Sequence, residues 1–447
     1  MPFTPCYLLI FLFLLGCHSS KKSEKETLAD QMEHHLKTEV LDHWYPLAMD
    51  TADGGFLSNF SYDFKPGEKQ EKMIVTQSRH IWTNAKAAQK YPDVEHYKTG
   101  AKHGFEFLRD KMWDPKNGGF YQLVDKQGSL IGDPMKTAYG NAFAIFGLAA
   151  YYAESRDESA LDLAKDTFNW LEEHAHDSVH LGYFQHLDPE GNPLKRNANT
   201  PSTSDLGYKD QNSSIHLLEA FTELYQVWPD PLVRKRLEEM LLLIRDKIVT
   251  PQGYLTLFLY PDWAPVTFKD STEEVIKAHH ALDHVSFGHD VETGFLMVEA
   301  SEVLGWHNDT ATHQIAKKMV DHALENGWDK NVGGFYDEGY YFPSGYRVTH
   351  DTKNWWAQAE GMNSLLLMAE LYPDDPHDYY SKFEKLWKYC DTYLIDHEHG
   401  DWYSGGLDKQ PELKTAGKGN IWKGIYHHYR SLDHCIARLK HMSKNSS

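Results

Sequence analysis

Cysteine is scarce in this sequence, with four in 447 residues, and only Cys390 and Cys435 lie beyond the N-terminal region. Both fall in segments of helical periodicity and offer neither a disulfide framework nor a metal-ligand spacing. Basic residues are also few: 45 Lys and Arg stand against 65 Asp and Glu, a formal charge of -20. Such a field repels nucleic acid and anionic lipid, so neither is expected as a ligand. No Pro-, Gly- or Ser-rich linker and no low-complexity stretch divides the chain, which makes one large domain the simpler organisation. The apolar run at residues 7–15 is too short to span a bilayer. A Walker-type loop, a dinucleotide fingerprint and a Gly-x-Ser-x-Gly elbow are all missing, which favours chemistry without a cofactor.

What is present in surplus is aromatic. Phe, Trp and Tyr make up 13% of the chain, enough to fill a large core and to line a carbohydrate site. Six times a glycine comes just before an aromatic: Gly54-Gly55-Phe56, Gly118-Gly119-Phe120, Gly182-Tyr183-Phe184, Gly253-Tyr254-Leu255, Gly333-Gly334-Phe335 and Gly400-Asp401-Trp402-Tyr403. The copies lie about 60 to 80 residues apart, a period that fits two helices with their connections.

Apolar spacing at i, i+3, i+4 and i+7 predicts twelve helices in two alternating sets. Segments 28–44, 95–111, 160–174, 231–248, 308–326 and 377–395 carry a charged face and read as an outer layer. Segments 75–91, 136–152, 212–228, 286–304, 354–371 and 426–441 are apolar around more of their circumference and read as inner helices. Short β-prone stretches such as Phe120-Tyr121-Gln122-Leu123-Val124 suggest hairpins at one end. The count predicts an all-α fold, an (α/α)6 barrel with short β-hairpins in the connecting loops. An open helical solenoid is the alternative, and the divergence of the repeats argues against it.

If the inner helices share a phase, residues near their N-termini converge at one mouth of the barrel. The candidates are Arg79, Tyr139, Asn212 with His216, His289 with Glu292, Trp355 and Trp356 with Glu360, and Trp422 with His427. Asn212 and His216 are spaced i, i+4 and His289 and Glu292 i, i+3, so each pair faces one way. A carboxylate that accepts from one imidazole nitrogen raises the basicity of the other, which suits proton transfer near neutral pH; a helix-surface salt bridge uses the same pair. Arg79 interrupts an apolar segment and requires an anionic partner, either a structural carboxylate or charge developing on a substrate. The tryptophans are either core or flat faces for stacking on sugars. The runs Ala278-His279-His280-Ala281-Leu282-Asp283-His284 and Asp396-His397-Glu398-His399 contain metal-ligand residue types without a recognised zinc spacing, and read as solvated loops, with no metal expected.

At the N-terminus, Leu14-Leu15-Gly16-Cys17 resembles a bacterial lipoprotein signal, although no Lys or Arg precedes the apolar run. On that reading Cys17 is the lipidated first residue, residues 18–27 are a polar tether and residues 28–441 form the single barrel domain. The protein is then expected in the bacterial cell envelope, as a periplasmic or outer-membrane lipoprotein that meets the membrane only through its anchor.

Six motifs, one per inner helix and in order, carry a family resemblance. They are Ser78-Arg79-His80-Ile81-Trp82-Thr83, Lys136-Thr137-Ala138-Tyr139-Gly140-Asn141-Ala142-Phe143-Ala144, His216-Leu217-Leu218-Glu219-Ala220, Ser286-Phe287-Gly288-His289-Asp290-Val291-Glu292, Trp355-Trp356-Ala357-Gln358-Ala359-Glu360 and Trp422-Lys423-Gly424-Ile425-Tyr426-His427. Over about residues 30 to 440 the chain resembles the N-acylglucosamine 2-epimerase superfamily, and within it is most similar to the cellobiose and mannobiose 2-epimerases. The resemblance implies an (α/α)6 barrel and a catalytic set of Arg79, His289, Glu292 and His427. It places Tyr139, Asn212, His216, Trp355, Trp356, Glu360 and Trp422 around the sugar, with Trp422 where disaccharide-acting members carry a stacking tryptophan. Ser214 stands where the family pattern has another histidine, and residues 195–211 look like an extra polar loop beside the cleft. A monomer with a small sugar as its partner is expected.

The implied reaction is cofactor-independent epimerisation at C2 of the reducing-end sugar of a β-1,4-linked disaccharide. It opens the ring, removes the C2 proton of the aldehyde, holds an enediolate and returns a proton to the opposite face. Two bases on opposite sides meet that demand, and His289 and His427 are assigned to them, with Glu292 orienting His289 and Arg79 facing the enediolate oxygen. The alternatives are a monosaccharide 2-epimerase or aldose-ketose isomerase using the same enediolate, a glycoside hydrolase with a carboxylate pair, and a non-catalytic sugar-binding lipoprotein.

Overall fold

The computed structural model describes residues 22–445; Cys17, the signal-like segment and residues 18–21 of the expected tether lie outside the described residues. The chain is already helical from Glu24, four residues ahead of position 28. Ser23 caps this helix and the Glu26 side chain returns to the Ser23 backbone, a capping box that the apolar period does not register.

The long helices, in order, are α1 (Glu24–His35), α2 (Ile74–Lys90), α3 (Glu95–Phe107), α4 (Ala138–Ser155), α5 (Glu158–His174), α6 (Gln211–Val227), α7 (Pro231–Leu243), α8 (Phe287–Val303), α9 (Thr310–Asn326), α10 (Trp355–Leu371), α11 (Tyr379–Tyr393) and α12 (Tyr426–Asn445). Even-numbered helices form the inner ring and odd-numbered ones cover it. α1, α3 and α7 continue into the π-turns Leu36–Leu41, Leu108–Met112 and Ile244–Ile248, which completes the longer segments their periodicity predicts. Each inner helix packs against the next, α12 packs back on α2, and α1 lies on α12. The ring is therefore closed, an (α/α)6 barrel rather than a solenoid.

The short strands are β1 (Lys72–Met73), β2 (Leu123–Val124), β3 (Lys136–Thr137), β4 (His186–Leu187), β5 (Lys209–Asp210), β6 (Phe258–Leu259), β7 (Val285–Ser286), β8 (Glu338–Phe342) and β9 (Gly345–His350). Among the strands of the described residues, β8 and β9 form the local hairpin. The other pairings, β1 with β2, β3 with β4, β5 with β6 and β7 with β8, join the start of one inner helix to the loop of the following repeat. Most of the β structure thus straps neighbouring repeats together.

The Gly-aromatic punctuation has a charged second half. An aspartate before the glycines meets a lysine near the start of the inner helix, both buried: Lys72 with Asp50 at 2.9 Å, Lys136 with Asp114 at 2.7 Å, Lys209 with Asp177 at 2.8 Å and Lys353 with Asp329 at 2.8 Å; in the sixth repeat the matching Asp396 is met by Lys418 from the loop, at 2.8 Å. Lys136 Nζ also donates to the carbonyls of Gly118 and Pro189, tying its own turn to the next loop. The glycines make room for this: Gly119 has φ of 71°, and a Cβ there would stand 2.8 Å from the Trp170 ring. In the sixth repeat Lys423 pairs with Asp401 at 3.0 Å. In the fourth, Val285 and Thr250 replace the lysine and the aspartate together, so neither charge is left buried alone.

Candidate active site

Because the lysines sit at the helix starts, they set the phase of the inner ring. Seven residues after Lys72, Lys136, Lys209, Val285, Lys353 and Lys423, about two helical turns, stand Arg79, Phe143, His216, Glu292, Glu360 and Arg430. These six form one layer across the barrel axis. The Arg79 guanidinium lies 4.4 Å from the centre of the Phe143 ring, that ring is 4.7 Å from the His216 imidazole, and Arg430 binds Glu292 and Glu360. One turn nearer the mouth stand Tyr139, Asn212 and Trp356, three residues after their anchors, and His289 and His427, four after theirs.

Together these layers line a cavity of about 230 Å³, walled by Arg79, Tyr139, Asn212, His216, His289, Glu292, Trp355, Trp356, Trp422 and His427. Glu360 is the one barrel residue of the expected set that does not line it; it is buried beneath His427. Trp422 stands at the rim, 52% exposed, while Lys423 beside it is pinned by Asp401 and two backbone carbonyls. Ser214 turns its hydroxyl back to the Asp210 carbonyl at 2.7 Å and stays out of the cavity wall. The loop 195–211 is drawn together by Arg196, which donates to the carbonyls of Pro201, Ser204 and Leu206.

The expected pairing of His289 with Glu292 does not form. His289 Nδ1 meets the Ser286 hydroxyl at 2.7 Å, and its ring lies 4.7 Å from that of Trp356. Glu292, one layer deeper, is taken by Arg430 and lies 4.0 Å from His427 Nδ1. The i, i+3 spacing gives a shared face, but the guanidinium at the deeper layer outcompetes a neutral imidazole for the carboxylate. The carboxylates that do orient histidines are Glu360, 2.7 Å from His427 Nδ1, and Glu219, 2.8 Å from His216 Nδ1.

Arg430, 1% exposed, binds all three acids: Glu219, Glu292 and Glu360. Burial alone would raise Glu219, but Arg430, His216 and the Tyr426 hydroxyl outweigh it and hold the carboxyl at about 2. Glu360 goes the other way: burial outweighs Arg430, is reinforced by Glu292, and pushes its carboxyl well above the usual range. Glu360 Oε1 meets both Arg430 and His427, whereas Oε2 is buried without a hydrogen-bond partner. His427 Nδ1 donates to Oε1, and His427 Nε2 is left as a free base.

Both mouth histidines are neutral at pH 7. Burial, then Arg79 and Arg430, hold His427 well below the usual imidazole range. Burial, then His216 and His284, lower His289 to about 3. Arg79 donates to the Tyr139 hydroxyl at 3.3 Å, lies over the Phe143 and Tyr426 rings, and leaves Nε without a hydrogen-bond partner. No carboxylate pairs with it among the described residues, so of the two partners the sequence allowed, the structural acid is ruled out. Donor atoms of Glu292, Glu360 and His427 lie within 4.8 Å of one another, a spacing that suits a cation. The space between the two acids is taken by the Arg430 guanidinium.

Arg430, Glu219 and Ser286 were not among the expected site residues. Arg430 is legible once the seven-residue register from the lysines is applied to the last repeat. Glu219 follows from extending the i, i+3 rule to His216. Ser286 has no sequence signal, since a serine at a helix start usually caps.

Residues 54–431 match the family model of N-acylglucosamine 2-epimerase (GlcNAc 2-epimerase). The chain is 28% identical over 425 residues to the cellobiose 2-epimerase of Dictyoglomus turgidum, covering 93% of this chain and 99% of that protein. It is 24% identical over 402 residues to the D-mannose isomerase of Marinomonas mediterranea, covering 89% and 94%. Its fold superposes on the solved cellobiose 2-epimerase from Bacillus thermoamylovorans with a TM-score of 0.79 and 26% identity, covering 92% of this chain and 99% of that one. With the match spanning the barrel from the first Gly-aromatic turn to the helix of His427 and Arg430, the chain belongs to the N-acylglucosamine 2-epimerase family.

Proposed function

We propose that this protein is a cofactor-independent carbohydrate 2-epimerase acting on the reducing-end sugar of a β-1,4-linked disaccharide. The observation that carries the reading is a pair of histidines, His289 and His427, flanking Trp356 across a cavity that also holds an arginine with no acid partner among the described residues. One imidazole takes the C2 proton of the open-chain aldose, and the enediolate charge develops beside Arg79. The other takes up a proton from solvent and gives it to C2 on the opposite face, and the first releases the abstracted proton to solvent, so both rings end neutral as they began. Burial disfavours a charged ring in the free cavity, and the enediolate forming between them offsets that cost.

The cavity, about 230 Å³, lies below the common range for ligand pockets, about 300 to 1,000 Å³. It suits one sugar ring, with the second ring resting on Trp422 at the rim. Trp422→Ala is expected to raise KM for a disaccharide roughly tenfold, about 1.4 kcal/mol, with little change for a monosaccharide; equal effects on both would remove Trp422 from substrate choice.

The reaction class is tested by incubating the protein with cellobiose, mannobiose, mannose and glucose in D2O. Deuterium at C2 of an epimeric aldose is the expected product. A ketose would instead mean reprotonation at C1, the outcome suggested by the D-mannose isomerase relative. Cleavage, or four unchanged sugars, would overturn the reading.

A further inference from the structure

The histidine-rich run at 278–284 is completed by residues from a different part of the chain. His280 lies on the short turn His280–Leu282, Glu338 opens β8 and His350 closes β9. Donor atoms of these three residues all lie within 4.8 Å of one another. Glu338 Oε2 is 2.6 Å from His350 Nδ1 and 3.4 Å from His280 Nδ1, and Glu338 Oε1 is 3.6 Å from His284 Nε2.

The hydrogen-bond inventory leaves this cluster short of positive charge. His284 Nδ1 faces the His280 carbonyl at 2.9 Å, and a carbonyl only accepts, so a neutral His284 carries its proton on Nδ1. Its Nε2 lone pair then points at Glu338 Oε1, acceptor against acceptor. Glu338 Oε2 is faced by imidazole nitrogens alone, those of His350 and His280. A cation between these groups removes the acceptor–acceptor contact and gives every one of them a partner.

We infer that His280, Glu338 and His350, backed by His284, form a binding site for a divalent transition metal ion of the zinc type. Two imidazoles and one carboxylate are a donor set such ions take, with a further position for water or a fourth ligand. With bonds of about 2.0 to 2.2 Å in a tetrahedron, donors stand roughly 3.3 to 3.5 Å apart. His280 and Glu338 already have that separation, and His350 has to withdraw from Glu338 by less than about 1 Å. Spacing along the chain conceals the site because its ligands come from three segments.

Its location links it to the strand that positions His289. Glu338 is the strand partner of Ser286, whose hydroxyl holds His289. The metal clips the segment before α8 to the β8–β9 hairpin, alongside the Arg347–Glu273 ion pair at 2.7 Å between the same two parts. It is a structural ion that steadies the platform of His289, and it touches none of the groups assigned to the epimerase reaction.

Calorimetric titration of untagged, chelator-treated protein with zinc sulfate alone, without sugar, tests the site independently of the epimerase reading. One saturable equivalent is expected, together with a rise in Tm. His350→Ala and Glu338→Gln should each weaken binding by about tenfold to 100-fold. His279→Ala, whose ring stacks on Phe268 and meets Ser202, should leave it unchanged. Cobalt(II) bound to the wild-type protein should show the intense visible absorption of a four-coordinate ion, a readout that does not depend on the variants folding. Absence of a saturable equivalent, an octahedral cobalt spectrum, or undiminished binding by the His280→Ala/His350→Ala double variant would overturn the site.

Discussion

His427→Ala is expected to lower exchange of the C2 proton with solvent by about 10³-fold or more, near the upper part of what a positioned acid-base group contributes. The effect is large because, of the two mouth histidines, His427 is the one whose Nδ1 is committed to an acid, leaving Nε2 unprotonated toward the cavity. His289→Ala should produce a comparable loss, since each face of C2 needs its own group. Glu360→Gln separates orientation from charge: a carboxamide oxygen replaces Oε1 as acceptor, so activity should stay within about tenfold of wild type. Glu360→Leu removes the acceptor and should fall much further. Isotope exchange followed by NMR in D2O reads all four variants, and normal exchange in His427→Ala would sink the assignment.

The second large effect is on stability. Arg430→Met is expected to destabilise the barrel by about 3 to 5 kcal/mol, the usual result of removing one partner from a buried ionic cluster. Three acids from α6, α8 and α10 converge on this one guanidinium. Without it, burial costs that Arg430 offsets fall on each carboxyl. The pH dependence has a definite sign. Glu219 in the folded protein is held at about 2, below its ordinary value of 4.5. Its contribution is therefore present above about pH 4.5 and lost as pH falls toward 2. The gap between wild type and Arg430→Met should be widest near neutrality and narrow through that acid window. Urea unfolding at pH 7 and pH 4 measures both, and a neutral-pH difference below about 1 kcal/mol would show that the cluster does not hold the ring together.

The helices and their alternation are legible because burial imposes local periods on the chain. An inner helix such as α4 reads apolar on nearly every side, and an outer one such as α5 on one face alone. The convergence of Arg79, Tyr139, Asn212, His289, Trp356 and His427 is legible for the same reason. Each follows a lysine or its replacement by three, four or seven residues, the spacings of one helix face, so a common start gives a common direction. The turn geometry behind that start was only half visible. The glycines announce it, but the lysine pairs with an aspartate about 22 to 32 residues earlier, a separation no local pattern marks.

By itself, then, the sequence determined the twelve helices, the shared phase of the inner six and the cavity wall with Glu360 wrongly added to it, all consequences of side-chain direction along one helix. Only the tertiary structure decided that α12 closes the ring on α2, that Arg430 takes Glu292 from His289, that Glu360 orients His427, and that Glu338 draws histidines from two other segments. These partners lie 67 residues apart for Glu360 and His427 and 211 for Glu219 and Arg430. Helical register states where a side chain points, whereas Coulomb attraction and hydrogen bonding depend on what stands opposite it in space. In a closed ring of six, that neighbour is chosen by the packing of the whole barrel.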